Sequence, residues 1–307
     1  MKTISVCIPV RNPDENLKLL IEQLFLQKAD IGEILIADSS DRDVFLDDNF
    51  KEKIKIYRIE KEDFDHGGTR TFLAKNAGGD ILVFLTQDVI MESERSISNL
   101  TQYFEKMDEL AAVYGKQLPH KNADIFSIHS RFFIYPEETR FYSRADLDKY
   151  GFKAGFLSNA FASYRKDYLE KINYFKDKII CSEDNYAGIK FLLAGYKIGY
   201  ISTAMVYHSH NFTISSEFKR YFDIGAFYST ESELIGKFKG PSYEGLRYFF
   251  SEVKFLFKNR KPFLIFQSVL RCFLKLIAFY LGRLNRFLPK GIKIKISNNK
   301  NFWENFI

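Results

Sequence analysis

The chain has 307 residues, a formal net charge of +6 and 17% aromatic residues, with Phe the commonest at 32. That length leaves room for one large domain or a domain with an appendage, and a core of this size needs no covalent staple. Basic residues gather toward the C-terminus instead of forming a stripe with a known motif, which argues against nucleic acid, while the aromatic richness points to sugars or a membrane surface. Cys7, Cys181 and Cys272 show no CxxC or metal spacing, so no disulfide framework is expected and a reducing cytosol fits. Met1-Lys2 leads straight into a β-rich run, so no secretory signal is expected.

Residues 4–9 predict a buried strand ended by Pro9, with Val10-Arg11-Asn12-Pro13 as a loop. Asp14 is a suitable cap for a helix in which Leu17, Leu20, Ile21, Leu24 and Phe25 recur at helical spacing. A second apolar strand over 34–37 stops at Asp38-Ser39-Ser40, and strand, helix, strand at this spacing is a βαβ unit with parallel pairing. Residues 54–59 alternate as a third strand.

The stretch 64–88 carries the densest signal. Asp65-His66-Gly67-Gly68-Thr69-Arg70 precedes a helix over 69–76, then a wholly apolar strand over 81–85 ends at Thr86-Gln87-Asp88. The helix's first turn would offer N–H groups to phosphate, Gly67 and Gly68 would allow close approach, and Arg70 would add a planar grip. A tight turn is the alternative reading of the glycines. Asn12, Asp38, Arg70 and Asp88 would then line one edge of a parallel sheet, where open α/β sheets bind nucleotides.

A helix over 94–107 and a strand over 111–115 continue the alternation, and 116–155 reads as a long surface excursion. An apolar segment over 156–164 precedes a helix over 165–172. Ser182 is placed to cap a helix whose first turn holds Glu183 and Asp184, a position where acids also simply favour the helix dipole. Two short strands, 197–200 and 204–207, deliver His208-Ser209-His210-Asn211, with His208 and His210 on one face as a source of metal ligands.

Beyond Asn211 the pattern is helical, over 217–234, 242–258 and 262–287. In the last, Gln267, Arg271 and Lys275 form a polar stripe that argues against a membrane span. Basic residues among Phe and Leu suit a helix lying in the membrane interface, and packing on the preceding domain or on a second subunit fits the pattern equally.

Taken together, Cys7-Ile8-Pro9-Val10-Arg11-Asn12, Ile36-Ala37-Asp38-Ser39-Ser40, Phe64-Asp65-His66-Gly67-Gly68-Thr69-Arg70, Leu85-Thr86-Gln87-Asp88, Ser182-Glu183-Asp184 and His208-Ser209-His210-Asn211 resemble the inverting family 2 nucleotide-sugar glycosyltransferases. The HGGTR and TQD pieces resemble the bacterial rhamnosyltransferase branch. The resemblance covers roughly residues 3–230 in motif order and implies a GT-A fold, an α/β Rossmann-like, mostly parallel sheet flanked by helices. It divides the chain into a catalytic domain over 1–212 and a C-terminal helical extension over 213–307.

The resemblance also implies roles. Pro9, Asn12 and Asp38 would surround the nucleoside, His66, Gly67, Gly68 and Arg70 would approach the base and pyrophosphate, and Gln87 would touch the nucleotide sugar. Asp88 would bind a divalent ion, Mg²⁺ or Mn²⁺, with His208 or else His210 completing the shell. Asp184 would be the general base, with Glu183 orienting it or binding acceptor. Three positions depart from the family pattern: Thr86-Gln87 stands for the acidic start of DxD, Ser39 for the second Asp of a common pair, and Thr71 for a frequent Asn. The implied reaction is transfer of L-rhamnose from dTDP-rhamnose to a lipid-linked polysaccharide at the cytoplasmic face of the plasma membrane, by a peripheral enzyme for which both a monomer and an oligomer are open. A UDP-hexose or UDP-N-acetylhexosamine donor, and a catalytically silent membrane-surface scaffold, are the alternatives.

Overall fold

The computed structural model describes residues 2–42, 52–238 and 244–306. The first half alternates β1 (Ile4–Val10), α1 (Glu15–Phe25), β2 (Ile31–Asp38), β3 (Ile54–Arg58), α2 (His66–Asn76) and β4 (Ile81–Leu85). Next come β5 (Ile90–Met91), α3 (Ser96–Thr101), β6 (Leu110–Leu118), α4 (Ile125–Ile134), β7 (Arg140–Tyr142) and α5 (Arg144–Tyr150). The sheet is completed by β8 (Phe161–Arg165), α6 (Lys166–Lys171), α7 (Glu183–Leu193) and β9 (Lys197–Tyr207). Helices follow: α8 (Ile214–Thr230), α9 (Ser232–Ile235), α10 (Glu244–Lys258), α11 (Ile265–Arg283), α12 (Lys290–Ile296) and α13 (Lys300–Asn305).

Among the described residues the strands form one sheet in the order β3-β2-β1-β4-β8-β6-β9-β5, with β7 beside β9. From β3 to β4 every pair is parallel, as the βαβ reading requires. Beyond β4 the sheet turns mixed, because β8 enters antiparallel between β4 and β6. Helices cover both faces, which is why the central strands carry apolar residues toward both: Val6, Ile8, Ile36, Val83 and Leu85 pack on one side, and Cys7, Leu35, Leu82 and Phe84 on the other.

Two expected features take a different form. The stretch 116–155 is built, not looped: β6 runs on to Leu118, and α4, β7 and α5 follow, with Tyr135 and Leu147 in the core. Its aromatics, which obscure any period in the sequence, are what bury it. The two short strands after Gly195 are one, β9, paired along its length with β6 through a register shift at Gly115 and Lys116.

The C-terminal helices are seated on the sheet domain. α8 and α11 cross so closely that a Cβ on Gly225 would fall 2.0 Å from the Phe279 carbonyl oxygen, and one on Gly282 would fall 2.1 Å from that of Phe222. Trp303 of α13 is fully buried with Phe222, Ile179 and Ile180. Past α13's start, the Asn301 amide donates to the Phe64 carbonyl at 3.0 Å, so the chain's end returns to the segment ahead of α2. The start expected for α10, residue 242, lies outside the described residues.

Candidate active site

β5 and β9 are antiparallel neighbours, which brings the turn after β4 beside the end of β9. Asp88 Oδ2 lies 3.4 Å from His208 Nε2 and 3.5 Å from His210 Nε2, and the three ligand atoms all lie within 4.8 Å of one another. Behind them, Gln117 Oε1 is 2.9 Å from His208 Nδ1 and accepts from Arg131 Nη1 at 2.7 Å, while Gln117 Nε2 donates to Ser158 Oγ at 2.8 Å. A guanidinium only donates, so Arg131 fixes the amide's orientation, and His208 Nδ1 must carry its proton. A neutral His208 therefore turns the Nε2 lone pair toward the Asp88 carboxylate. Acceptors facing one another in this way suit a cation between them.

Burial opposes charge on Asp88, but when His208 is protonated instead, its hydrogen bond and charge, with smaller help from Thr86 and His210, outweigh burial and hold the Asp88 carboxyl well below the usual carboxylate range, so Asp88 is an anion with or without an ion beside it. Burial and the neighbouring His208 push His210 down to about 4, so its imidazole is neutral at pH 7. One carboxylate and two imidazoles fit a divalent first-row ion. The family resemblance offers His210 only in place of His208, whereas the shared face of the pair suggests both, and the geometry brings both to Asp88.

The paired acids stand at the start of α7. Ser182 takes left-handed φ of 64° and its side chain makes no cap, contrary to the expectation, so the acids and not the serine define the turn. α7 is seated by a glycine contact: a Cβ on Gly188 would meet the Gly155 carbonyl oxygen at 2.0 Å. Glu183 is buried, 3.2 Å from Arg70 Nη1, and accepts from Asn159 Nδ2 at 3.1 Å. Asp184 is partly exposed and accepts from the backbone N–H groups of Asn159 and Asn185, at 3.1 and 2.8 Å. Burial and the Glu183 charge raise Asp184 to about 7, against the pull of those two N–H groups. Burial opposes charge on Glu183, but Arg70, His66 and the Asn159 hydrogen bond together outweigh it and hold the carboxyl low, so the two carboxyls divide into a fixed anion and a proton acceptor.

The remaining sequence candidates fall into two networks. At the ends of β1 and β2, Asn12 has left-handed φ of 44°, its N–H donates to Ser40 Oγ at 2.7 Å, and its amide exchanges hydrogen bonds with Asp41. Asp38 is buried and accepts from Ser40 N–H at 2.9 Å and Arg58 Nη1 at 3.0 Å, and Pro9 sits one residue inside β1, opposite Ala37. Gln87 is engaged with the same loop, accepting from Arg11 N–H at 2.8 Å and donating to the Arg11 carbonyl at 3.1 Å.

The second network is α2. The helix begins at His66, three residues earlier than expected, because Asp65 caps it by accepting from Gly68 N–H at 2.6 Å. Gly67 and Gly68 thus lie in its first turn. The close approach at Gly67 is to protein backbone, since a Cβ there would fall 1.7 Å from the Lys176 carbonyl oxygen. His66 Nε2 lies 3.1 Å from Asn299 Oδ1, and Arg70 is engaged with Glu183 and the His66 carbonyl. Gln117, Arg131, Ser158 and Asn159 join the two halves of the site and were not singled out by sequence. For Ser158-Asn159 a signal existed, a polar break inside the apolar run 156–164.

A mixed α/β sheet with a carboxylate–imidazole triad at its strand ends, and a second carboxylate with a raised pKa at the start of α7, is the arrangement of a GT-A glycosyltransferase. Residues 5–173 match the family described as Glycosyl transferase family 2, and the chain belongs to that family. It is 37% identical over 305 residues to the O-antigen chain rhamnosyltransferase RfbN of Salmonella typhimurium, covering 98% of this chain and 96% of that protein. It is 38% identical over 275 residues to the O-antigen chain rhamnosyltransferase WbaN of Salmonella anatum, covering 89% and 87%. Among solved structures, the mannosyltransferase PcManGT of Pyrobaculum calidifontis, in complex with GDP-Man and Mn²⁺, superposes with a TM-score of 0.61 at 12% identity, covering 94% and 88%. Residues 1–349 of S. aureus TarS give 0.54 at 14% identity, covering 99% and 89%. The chain is an enzyme, a glycosyltransferase of polysaccharide biosynthesis.

Proposed function

We propose that this enzyme moves L-rhamnose from dTDP-L-rhamnose, with inversion, onto a growing lipid-linked saccharide of a surface polysaccharide. The observation that carries the reading is the path from Asp88 to His208, 3.4 Å away, then by hydrogen bonds through Gln117 to Ser158, and along the chain to Asn159, whose N–H holds Asp184. It ties an acid that titrates near pH 7 to a triad suited to a divalent ion. The rhamnose donor is supported by the two rhamnosyltransferases that the chain resembles over most of its length.

Asp184 would accept the proton of the acceptor hydroxyl as that oxygen attacks the anomeric carbon from the face opposite the departing nucleoside diphosphate. Glu183, fixed by Arg70 and Asn159, keeps Asp184 basic through its charge and sets where α7 begins. Asp88, His208 and His210 would hold Mn²⁺ or Mg²⁺, the imidazoles favouring Mn²⁺; when bound, the ion neutralises charge on the leaving diphosphate. The network of Asn12, Asp38 and Ser40 would meet the nucleoside, with Pro9 and Gln87 shaping the strand end beneath it. His66 and the start of α2 would stand on the pyrophosphate side.

The extension over 213–307 would rest on the cytoplasmic side of the plasma membrane. α11 supports this in an unexpected way. Arg271 and Lys275 of the polar stripe turn inward to Glu217 at 2.8 and 2.9 Å, and the outward face is apolar, with Phe266, Phe273 and Tyr280 at 79, 59 and 61% exposure. The test of the function is incubation of the enzyme with Mn²⁺, dTDP-rhamnose and a lipid-linked oligosaccharide from a rhamnose-containing polysaccharide. A product carrying one added rhamnose of inverted anomeric configuration is expected. Transfer from UDP-glucose alone would move the assignment to another donor, and retention of configuration would remove Asp184 from its role.

A further inference from the structure

An open groove of about 660 Å³ lies where α8, α11 and α12 meet. Ile214 and Phe218 of α8, Leu274 of α11 and Ile296 at the end of α12 give it an apolar lining, and Lys219 and Lys295 stand in its wall. Among the described residues neither lysine has an acidic partner, whereas Lys275, one residue along from Leu274, is neutralised by Glu217. Two free ammonium groups on an apolar trough form an amphipathic site.

Two further observations say what fits it. Leu274 belongs to the helix whose outer face carries the exposed Phe266, Phe273 and Tyr280, so the groove is continuous with an apolar shelf. It also begins four residues after His210, a span of at most about 14 Å of chain. That short chain is pinned, for the Phe212 carbonyl accepts from both terminal nitrogens of Arg271 at 3.1 Å and the Phe212 ring lies 5.5 Å from that of His210.

We infer that this groove binds a phosphate-headed lipid, with the phosphate on Lys219 and Lys295 and the chain along Ile214, Phe218, Leu274 and Ile296. Its place beside the triad makes that lipid the anchor of the acceptor, an assignment that rests on the transferase reading above. The shelf on α11 would let a single chain pass from a bilayer into the groove without crossing water.

The test uses the full chain and farnesyl phosphate below its micelle concentration, with farnesol and inorganic phosphate as controls, followed by calorimetry. Farnesyl phosphate should bind at least roughly tenfold more tightly than either control, since only it engages both lysines and the apolar lining. Lys219→Glu with Lys295→Glu should weaken it by roughly tenfold or more at unchanged thermal stability, and Leu274→Asp should do the same without touching a charge. Unaltered binding in these variants, or inorganic phosphate binding as tightly as the lipid, would overturn the site. Equal loss of farnesyl phosphate and of phosphatidylglycerol vesicles in the lysine variant would assign the lysines to the bilayer at large and overturn it too. In the transfer assay the lysine variant should raise KM for a lipid-linked acceptor and leave KM for dTDP-rhamnose unchanged. If no rhamnose is transferred while lysine-dependent binding persists, the donor reading fails and the groove stands; if transfer proceeds with acceptor KM unmoved, the groove fails alone.

Discussion

In the proposed mechanism Asp184 is the residue on which the chemistry turns, and its pH behaviour follows from its surroundings. With its carboxyl raised to about 7, kcat/KM should climb as pH rises through 7 and level off above it, because the base must be unprotonated. Asp184→Asn should lower transfer by roughly 10²-fold or more while donor affinity, measured by calorimetry, changes little. Stability should move the other way: a carboxyl whose folded pKa lies above its unfolded value favours the fold at low pH and loses that contribution as pH rises toward 7. The Asn variant should therefore melt slightly higher than the wild type at pH 8 and no higher at pH 4, and an unchanged difference across that range would contradict the raised pKa. Arg70→Ala leaves Glu183 as a buried anion without its partner and should cost about 3–5 kcal/mol in denaturant unfolding. At the triad, Gln117→Ala removes the acceptor that orients His208 and should weaken Mn²⁺ binding about 10–100-fold, read by titration of the ion alone.

Elements, more than residues, decided what was legible in the sequence. β1, β2 and β4 are short apolar runs and β3 an alternating one, each ended by a polar turn, a local pattern, and the structure has them where the spacing predicts. Asp88 and the His208–His210 pair could be suspected because each follows such a strand. Their meeting at 3.4–3.5 Å depends on β5 pairing with β9, a two-residue contact between distant segments that no local pattern announces. The same holds for Gln117 and Asn159, whose importance lies in partners 91 and 25 residues away. The glycine pair suggests a ligand contact because close approach is visible in a sequence while its object is not; the object at Gly67 is Lys176. A test of element placement is Gly188→Ala, which drives a methyl into the Gly155 carbonyl. It should destabilise the protein by about 1–3 kcal/mol and reduce transfer more than donor binding, since α7 carries both acids.

At the scale of the whole molecule, the helical extension is part of the same body as the sheet. Trp303 shares a core with Ile179 and Ile180, and Asn299 and Asn301 reach His66 and Phe64. The donor side of the site and the apolar shelf on α11 are thereby held in one frame, which is what an enzyme joining a water-soluble donor to a lipid-borne acceptor requires. Phe266→Ser with Phe273→Ser should reduce co-sedimentation with anionic vesicles and leave the melting temperature unchanged, because both rings face outward. The central claim, a divalent-ion-dependent site for a rhamnosyl nucleotide, is tested most directly by calorimetric titration of dTDP-rhamnose and UDP-glucose, each with Mn²⁺ and with chelator, into the wild type and a His208→Ala, His210→Ala variant. The account predicts that dTDP-rhamnose binds preferentially, that Mn²⁺ strengthens it, and that the double variant loses the strengthening. Binding of dTDP-rhamnose that chelator leaves unchanged, or a preference for UDP-glucose, would contradict it.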